Sequence, residues 1–181
     1  MLHEIVIATT KLDLVAGKET RRCFTGSPFV SRDEDYERWL PEHQPEAPAC
    51  TITTVVPSKD EFFTGWAGAV LGVSAFTPLE TLVELLEERE HLMTLAQGEE
   101  MVAKAERRPS IGMNTDGRGW GNFFFVKNKD EDGGVSLANI RSDGQRHWQA
   151  FIYRLDYKDR WFAERRLLIP NLRLDLPQLW P

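Results

Sequence analysis

Cysteine is scarce in this chain, and long hydrophobic runs are missing. Two cysteines in 181 residues cannot build a disulfide framework, so we expect a reducing compartment. The N-terminal stretch lacks the basic start and apolar run of a secretory signal, and no segment reaches the ~18 apolar residues that a membrane span needs. We therefore expect a soluble cytoplasmic protein with no membrane segment.

Signatures of common catalytic and nucleotide-binding sites are also missing. Gly117, Gly119 and Gly121 have the spacing G-x-G-x-G, whereas the dinucleotide fingerprint requires G-x-G-x-x-G between a strand and a helix. No serine lies in a G-x-S-x-G elbow, and the few histidines and cysteines lack the short paired spacings of a zinc site. We predict no cofactor and no metal, and we interpret the glycines as a turn that leads into a buried strand.

The composition present is that of a packed globular protein. Hydrophobic residues make up 41% and charged residues 28% of the chain, which favours a single domain over residues 1–181. The formal charge of −6 is unevenly distributed: residues 1–102 contain 8 basic and 18 acidic residues, whereas residues 103–181 contain 14 basic and 10 acidic residues. The acidic and basic halves can act as electrostatically distinct surfaces.

Alternation of β-branched and aromatic residues predicts several strands. The predicted segments are 4–10, 50–56, 122–127, 135–140, 147–155 and 161–169. Asp132-Gly133 and Asp143-Gly144 suit hairpin turns, so the segments after Pro109 predict an antiparallel meander. For residues 159–169 a helix capped by Asp159 remains an alternative, and residues 171–181 are interpreted as an edge strand or a docked tail.

Two capping boxes mark predicted helix starts, Ser58 with Glu61 and Thr77 with Glu80. After the second, apolar residues recur every three or four positions over residues 78–96, which predicts a long helix that Gly98 ends or kinks. The shorter helix before it contains three glycines, which suits close packing against a sheet.

These elements predict an α+β fold. We expect an antiparallel sheet, built from the C-terminal meander and the N-terminal strands, with the long and the shorter helix on one face. Residues 31–48 combine clustered acids with three prolines, and we interpret them as a surface loop with one helical turn. Regular strand-helix alternation is missing, which argues against a doubly wound parallel sheet.

Arginines and aromatic residues interleave in the C-terminal half. Such a composition suits protein-protein hot spots, and it also suits phosphate neutralisation with base stacking. The candidate binding residues are Arg118, Trp120, Arg146, Trp148, Arg154, Arg160 and Trp161. Because the net charge is −6, a protein partner is favoured over nucleic acid. The favoured function is a non-enzymatic interaction module with this basic-aromatic sheet surface.

One constellation supports an enzyme as the alternative. Asp143, Asp156 and Lys158 form a D…D-x-K pattern near the meander, with Glu84 or Glu87 on the long helix as a further acid. The pattern resembles the site of restriction-endonuclease-like nucleases, and this resemblance implies that the acids hold a divalent metal while the lysine activates water. The alternative function is therefore a metal-dependent nuclease or phosphodiesterase.

Overall fold

A computed structural model describes residues 6–56, 61–62, 71–74, 76–118, 120–131, 133–156, 160–161 and 164–172. Within them lie eleven strands: β1 Val6–Leu12, β2 Lys18–Glu19, β3 Phe29–Arg32, β4 His43–Gln44, β5 Cys50–Val55, β6 Glu61–Phe62, β7 Asn122–Lys127, β8 Val135–Ser142, β9 Trp148–Arg154, β10 Arg160–Trp161 and β11 Arg166–Pro170. Three α-helices lie wholly within the same ranges: α1 Asp35–Trp39, α2 Leu79–Glu88 and α3 Leu95–Arg107.

Seven of the strands form one mixed sheet, in the order β1-β5-β11-β7-β8-β9-β3. The α+β class and the meander β7-β8-β9 are confirmed. The purely antiparallel arrangement is wrong, because β11 lies parallel to β7 and β3 lies parallel to β9. Strand β11 enters the sheet between β5 and β7, so the meander and the N-terminal hairpin β1-β5 become one continuous sheet.

Both faces of this sheet are packed. On β7, Phe124 contributes to a core with Met101 and Val102 of α3, on what we call the α3 face. Phe123 and Phe125 contribute to a second core that includes Leu82 and Leu86 of α2, on the α2 face. The three phenylalanines of β7 therefore alternate between the two faces of the sheet. The long helix expected over residues 78–96 is wrong in its length: helix α2 ends at Glu88 on one face, and a connector leads to α3 on the opposite face.

The connector between α2 and α3 explains this split. Glu90 adopts a left-handed conformation (φ 55°), which ends α2. The backbone N–H of Met93 then donates to the carbonyl of Phe125 on β7 at 2.8 Å, and His91 Nδ1 lies 2.9 Å from the carbonyl of Pro170 on β11. The connector therefore bonds to both strands as the chain passes from one face to the other. Burial lowers the pKa of His91, so its ring is favoured in the neutral form.

The capping box lies at a different place from the predicted ones. Helix α2 begins after Pro78 without a side-chain capping bond, so the Thr77–Glu80 prediction is wrong. Helix α3 carries a complete capping box, in which Thr94 Oγ1 accepts from the Gln97 N–H at 3.1 Å and Gln97 Oε1 accepts from the Thr94 N–H at 2.9 Å. Ser58, most of the predicted glycine-containing helix and residues 173–181 lie outside the described residues.

Residues 31–48 contain more regular structure than a plain loop, since α1 and β4 lie within them. Tyr36 of α1 is fully buried, and its hydroxyl donates to the carbonyl of Phe151 on β9. Asp159 lies outside the described residues, but the segment after it forms strands β10 and β11, so the strand alternative is confirmed there. Over the described part of the chain, no helix is long and apolar enough to cross a membrane.

Gly98 lies in the first turn of α3, so it neither ends nor kinks the preceding helix as predicted. A Cβ at this position would lie 2.7 Å from Cζ of Phe124. We expect Gly98→Ala to lower the free energy of unfolding by about 1–3 kcal/mol, because overpacking against the buried ring exceeds the gain of up to about 1 kcal/mol in helix propensity. Urea denaturation measures this. Glu100→Ala, at an exposed position of the same helix, is the control and should change stability by less than about 0.5 kcal/mol. A stabilised Gly98→Ala variant would show that α3 is not pressed against β7.

Candidate functional site

The predicted binding residues do not form one surface. Trp148 is fully buried on the α3 face, and its indole N–H donates to Glu106 Oε1 at 2.7 Å. This corrects its assignment as a binding residue: on the strand it shares a face with Ala150 and Ile152, which are also core residues. A large aromatic side chain in this position contributes to stability rather than to recognition.

The other predicted binding residues are scattered. Arg118 is exposed and lies 3.5 Å from Asp116, Arg146 is exposed in the β8-β9 turn and lies 3.7 Å from Glu106, and Trp120 is half-buried. Arg154 lies at the opposite end of β9, with its guanidinium 5.8 Å from the centre of the Trp39 ring. The side chains of Arg160 and Trp161 lie outside the described residues.

The carboxylates of the nuclease alternative do not converge. Asp143 begins the turn before β9, and Asp156 follows β9 at its other end. A strand of seven residues spans about 20 Å, so one metal ion cannot bridge them. Lys158 lies outside the described residues, Glu84 is exposed on α2, and Glu87 lies 3.6 Å from Lys127. The geometry on which the nuclease alternative depends is therefore missing for its two aspartates.

Asp143 instead organises the β8-β9 turn. Its Oδ1 accepts from the backbone N–H of Gln145 at 2.7 Å and of His147 at 3.1 Å, and its Oδ2 lies 2.9 Å from His147 Nδ1. The backbone bond from Gln145 is the main cause that lowers the pKa of Asp143, followed by the backbone and ring of His147. The carboxylate is thus fully used within the turn.

A titration checks this role. Because the pKa of Asp143 is lowered on folding, its stabilising contribution is present above the usual pKa of an aspartate and is lost as the pH falls through the folded value. We expect the carboxyl carbon of Asp143, followed by NMR, to titrate below the usual range of an aspartate. In His147→Ala the pKa should rise but stay below that range, because the Gln145 bond remains. If Asp143 of the wild type titrates within the usual range of an aspartate, the turn geometry is contradicted.

A different group of residues comes together on the α2 face. In the meander, Asn139 of β8 pairs with Phe123 of β7 and with Phe151 of β9, while Leu137 pairs with Tyr153. Paired residues point to the same face of a sheet, and alternate residues of one strand do so as well. Asn139, Arg141, Phe151 and Tyr153 therefore lie side by side; we call them the Arg141 cluster.

Arg141 is the charged member of this cluster. Its guanidinium lies 4.9 Å from the centre of the Phe151 ring, and its Nη2 lies 3.3 Å from the hydroxyl of Tyr153. Its Nε is buried and has no hydrogen-bond partner. No carboxylate of the described chain lies within 4.0 Å of this guanidinium. The charge thus packs against the Phe151 ring without a counter-ion in the described part of the chain.

Asn139 is the buried polar member. It is 0% exposed, yet neither Oδ1 nor Nδ2 has a hydrogen-bond partner. Another asparagine of the same sheet, Asn122, is equally buried but makes three side-chain hydrogen bonds, two with Asn114 and one with Ile140. An unsatisfied buried amide is uncommon and calls for a specific explanation. Asn139 therefore marks the Arg141 cluster as unusual within its own sheet.

Gly121 makes room for Asn139. A Cβ on Gly121 would overlap Oδ1 of Asn139, so only glycine allows this amide to lie over β7. Gly117 (φ 76°) likewise allows its loop to approach the carbonyl of Asp143. Gly117 thus has the positive φ that the predicted turn requires, and Gly121 makes room for the Arg141 cluster, while Gly119 lies outside the described residues.

A second guanidinium lies on the same face. Arg165, next to the start of β11, has its Cζ 5.6 Å from the centre of the Phe123 ring, and that ring lies 6.3 Å from the ring of Tyr153. The rim of the cluster reaches solvent, since Arg141, Phe151 and Tyr153 are half-buried and Gln149, opposite Arg141, is exposed. At this rim the Arg141 guanidinium can bind an anionic group above the Phe151 ring.

The sequence contained part of this information. Arg141 and Tyr153 belong to the interleaved basic and aromatic residues, but Asn139 was missed. The sequence did contain an indication of it, because Asn139 is a polar residue between apolar neighbours in "SLANI", within a strand that is buried on both faces. Nothing in the sequence indicated that Glu106 and Asn122 would form hydrogen bonds with other buried groups.

Over the part of the chain that the structure describes, no group of three or more His, Cys, Asp or Glu side chains is placed to hold a metal ion. Comparison with family models, with curated proteins and with solved structures gave no match to this chain.

Proposed function

We propose that the protein is a non-enzymatic binding module, and that the Arg141 cluster is the centre of its binding face. On this proposal a partner protein docks on the α2 face at β8 and β9 and presents a carboxylate to Arg141. The basic-aromatic sheet surface expected from the sequence is kept, but its residues differ from those first expected.

The observation that carries the proposal is the unsatisfied state of Arg141. A half-buried guanidinium usually has a carboxylate nearby, because burial of an unpaired charge or donor costs free energy. Here the Nε is buried without a partner, and no described carboxylate lies within 4.0 Å. A carboxylate from outside would supply the missing acceptor in a charge-assisted hydrogen bond.

Asn139 supports the same interpretation. It lies two residues from Arg141 on the same face of β8, so its Nδ2 and the Arg141 Nε are donors on one surface. Each unsatisfied buried polar atom costs about 1–3 kcal/mol. Such a cost is explained if the atoms become bonded when a partner is present.

The composition and charge favour a protein as the partner. Arginine and tyrosine are the residue types enriched at interface hot spots, especially where aromatic rings surround them. The chain as a whole carries −6, which opposes the approach of a polyphosphate backbone more than that of a protein.

Affinity capture with matched baits tests the proposal. The wild type, Arg141→Met and Arg118→Met are immobilised, and bound proteins from the cells that make this chain are quantified. We expect at least one protein that Arg141→Met retains about tenfold less and that Arg118→Met retains normally, because a charge-assisted hydrogen bond contributes about 1.5–3 kcal/mol. Equal capture by all three baits would refute the binding face.

A titration addresses nucleic acid separately. Labelled single-stranded oligonucleotide is added to the wild type and to Arg141→Met at increasing salt, with fluorescence anisotropy as the readout. We expect no binding at low salt. Binding that weakens steeply with salt and is lost in Arg141→Met would assign the same cluster to nucleic acid and would contradict the protein-partner proposal.

A further inference from the structure

A separate cleft lies at the other end of the meander. It measures about 470 Å³ and is formed where α1 ends, where β7 turns into β8 and where β9 ends, with Leu79 and Val83 of α2 on one wall. This volume is in the range of small-molecule sites. We call it the α1 cleft. It shares no residue with the Arg141 cluster, so a ligand of this cleft is independent of the partner proposed for that cluster.

Three cations line the α1 cleft: Arg38, Lys129 and Arg154. The backbone N–H of Lys129 donates to the carbonyl of Trp39 at 2.8 Å, which ties the β7-β8 turn to α1. Arg38 is paired with Asp35 at 3.0 Å, whereas neither Lys129 nor Arg154 has a described carboxylate within 4.0 Å. Two basic groups of one cleft are therefore without a counter-ion among the described residues, which favours an anionic ligand.

The remaining polar groups show what else the ligand would carry. The carboxylates of Glu131 and Asp156 line the same cleft and are exposed. Ionised carboxylates only accept hydrogen bonds, so they suit a ligand that presents hydroxyl groups. Ser136 and Asn128 bond to each other, and Asn128 also bonds to Gly133, so these two residues hold the turn in place.

We propose that the α1 cleft binds a small phosphorylated sugar, either free or as part of a nucleotide. Lys129 and Arg154, the two cations of the cleft without a described counter-ion, bind the phosphate, which accepts hydrogen bonds from both types of side chain. Glu131 and Asp156 accept from the sugar hydroxyls, in the way that an acidic residue binds ribose in dinucleotide sites. Trp39, half-buried under Arg154, and the aliphatic wall of α2 pack against the ring.

Isothermal titration calorimetry with ribose 5-phosphate tests the site. We expect Lys129→Gln and Arg154→Gln each to weaken binding by about tenfold or more. Arg107→Gln, which removes an exposed arginine of α3 that does not line the cleft, should bind like the wild type, and circular dichroism confirms that each variant is folded. Absence of binding to the wild type, or equal binding by all variants, would overturn the proposal.

Further titrations separate the parts of the ligand. Inorganic phosphate should bind more weakly than ribose 5-phosphate, and ribose alone should bind more weakly still. If adenosine 5′-monophosphate binds more tightly than ribose 5-phosphate, the phosphorylated sugar is bound as part of a nucleotide. Asp156→Asn should weaken binding of ribose 5-phosphate but not of inorganic phosphate. If Asp156→Asn instead strengthens both, the carboxylate only repels the anion and the sugar assignment is wrong.

Discussion

Replacement of Trp148 by alanine is expected to lower the free energy of unfolding by about 3–5 kcal/mol, the largest effect of any single substitution that we predict. The indole is 0% exposed in the core of the α3 face, and its N–H is bonded to Glu106. The variant loses the burial of a large aromatic group and leaves a cavity between β9 and α3. Urea denaturation, monitored by circular dichroism at 222 nm, measures the change.

Two controls separate packing from the hydrogen bond and from surface effects. Trp148→Phe keeps most of the ring but loses the N–H donor to Glu106, so it should cost less than Trp148→Ala. Phe76, which is 94% exposed, is the aromatic control, and Phe76→Ala should change stability by less than about 0.5 kcal/mol. If Trp148→Ala were as stable as Phe76→Ala, Trp148 would be a surface residue and the placement of β9 would be wrong.

Replacement of Asn139 by leucine is expected to raise the free energy of unfolding by about 1–3 kcal/mol, although it removes a polar residue from the middle of a sheet. The two side chains have similar shapes, and the asparagine amide has no partner to lose. Its desolvation therefore costs free energy in the folded state without a compensating hydrogen bond. Thermal and urea denaturation both measure the gain.

Asn122 is the matched control for this substitution. It is buried in the neighbouring strand, but its amide is bonded to Asn114 and Ile140. Asn122→Leu should therefore destabilise the protein, because it leaves those backbone groups unsatisfied. We therefore predict that the two Asn→Leu substitutions change the free energy of unfolding in opposite directions. A loss of stability in Asn139→Leu similar to that in Asn122→Leu would show that the Asn139 amide is bonded in the folded state.

A stabilising Asn139→Leu substitution would also bear on function. Binding sites retain groups that are costly for the isolated protein when those groups are used in the complex. If the Arg141 cluster is such a site, Asn139→Leu should be more stable and should bind the partner less well. If Asn139→Leu is more stable but binds the partner as well as the wild type, the Asn139 amide has no role in partner binding.

Local patterns in the sequence account for most strands but not for their arrangement. Alternation identified β1, β5 and the meander, because each side-chain pattern reflects one strand on its own. The parallel partners β3 and β11 pair across long sequence separations, for which no local pattern exists. The helix between residues 78 and 96 was predicted as one because its apolar spacing continues past Glu90, whose backbone conformation ends α2.

The candidate site was only partly predictable, because it also depends on how the strands pair. Composition identified an excess of arginine and aromatic residues, but it did not show that Trp148 is buried. Which face a residue shares with its neighbours depends on register, and register brought Asn139 between Phe123 and Phe151. The lack of partners around Asn139 and Arg141 is a property of the packed structure alone.

Site-specific photo-crosslinking from position 149 tests the central claim most directly. Gln149 is exposed and lies opposite Arg141, so a photoreactive residue placed there samples the proposed binding face. In the cells that make this chain, we predict that the label forms a crosslink to a protein, at a peptide that contains an aspartate or glutamate. We predict that this crosslink is lost when the labelled protein also carries Arg141→Met. Crosslinks that persist in Arg141→Met, or crosslinks to nucleic acid only, would contradict the account.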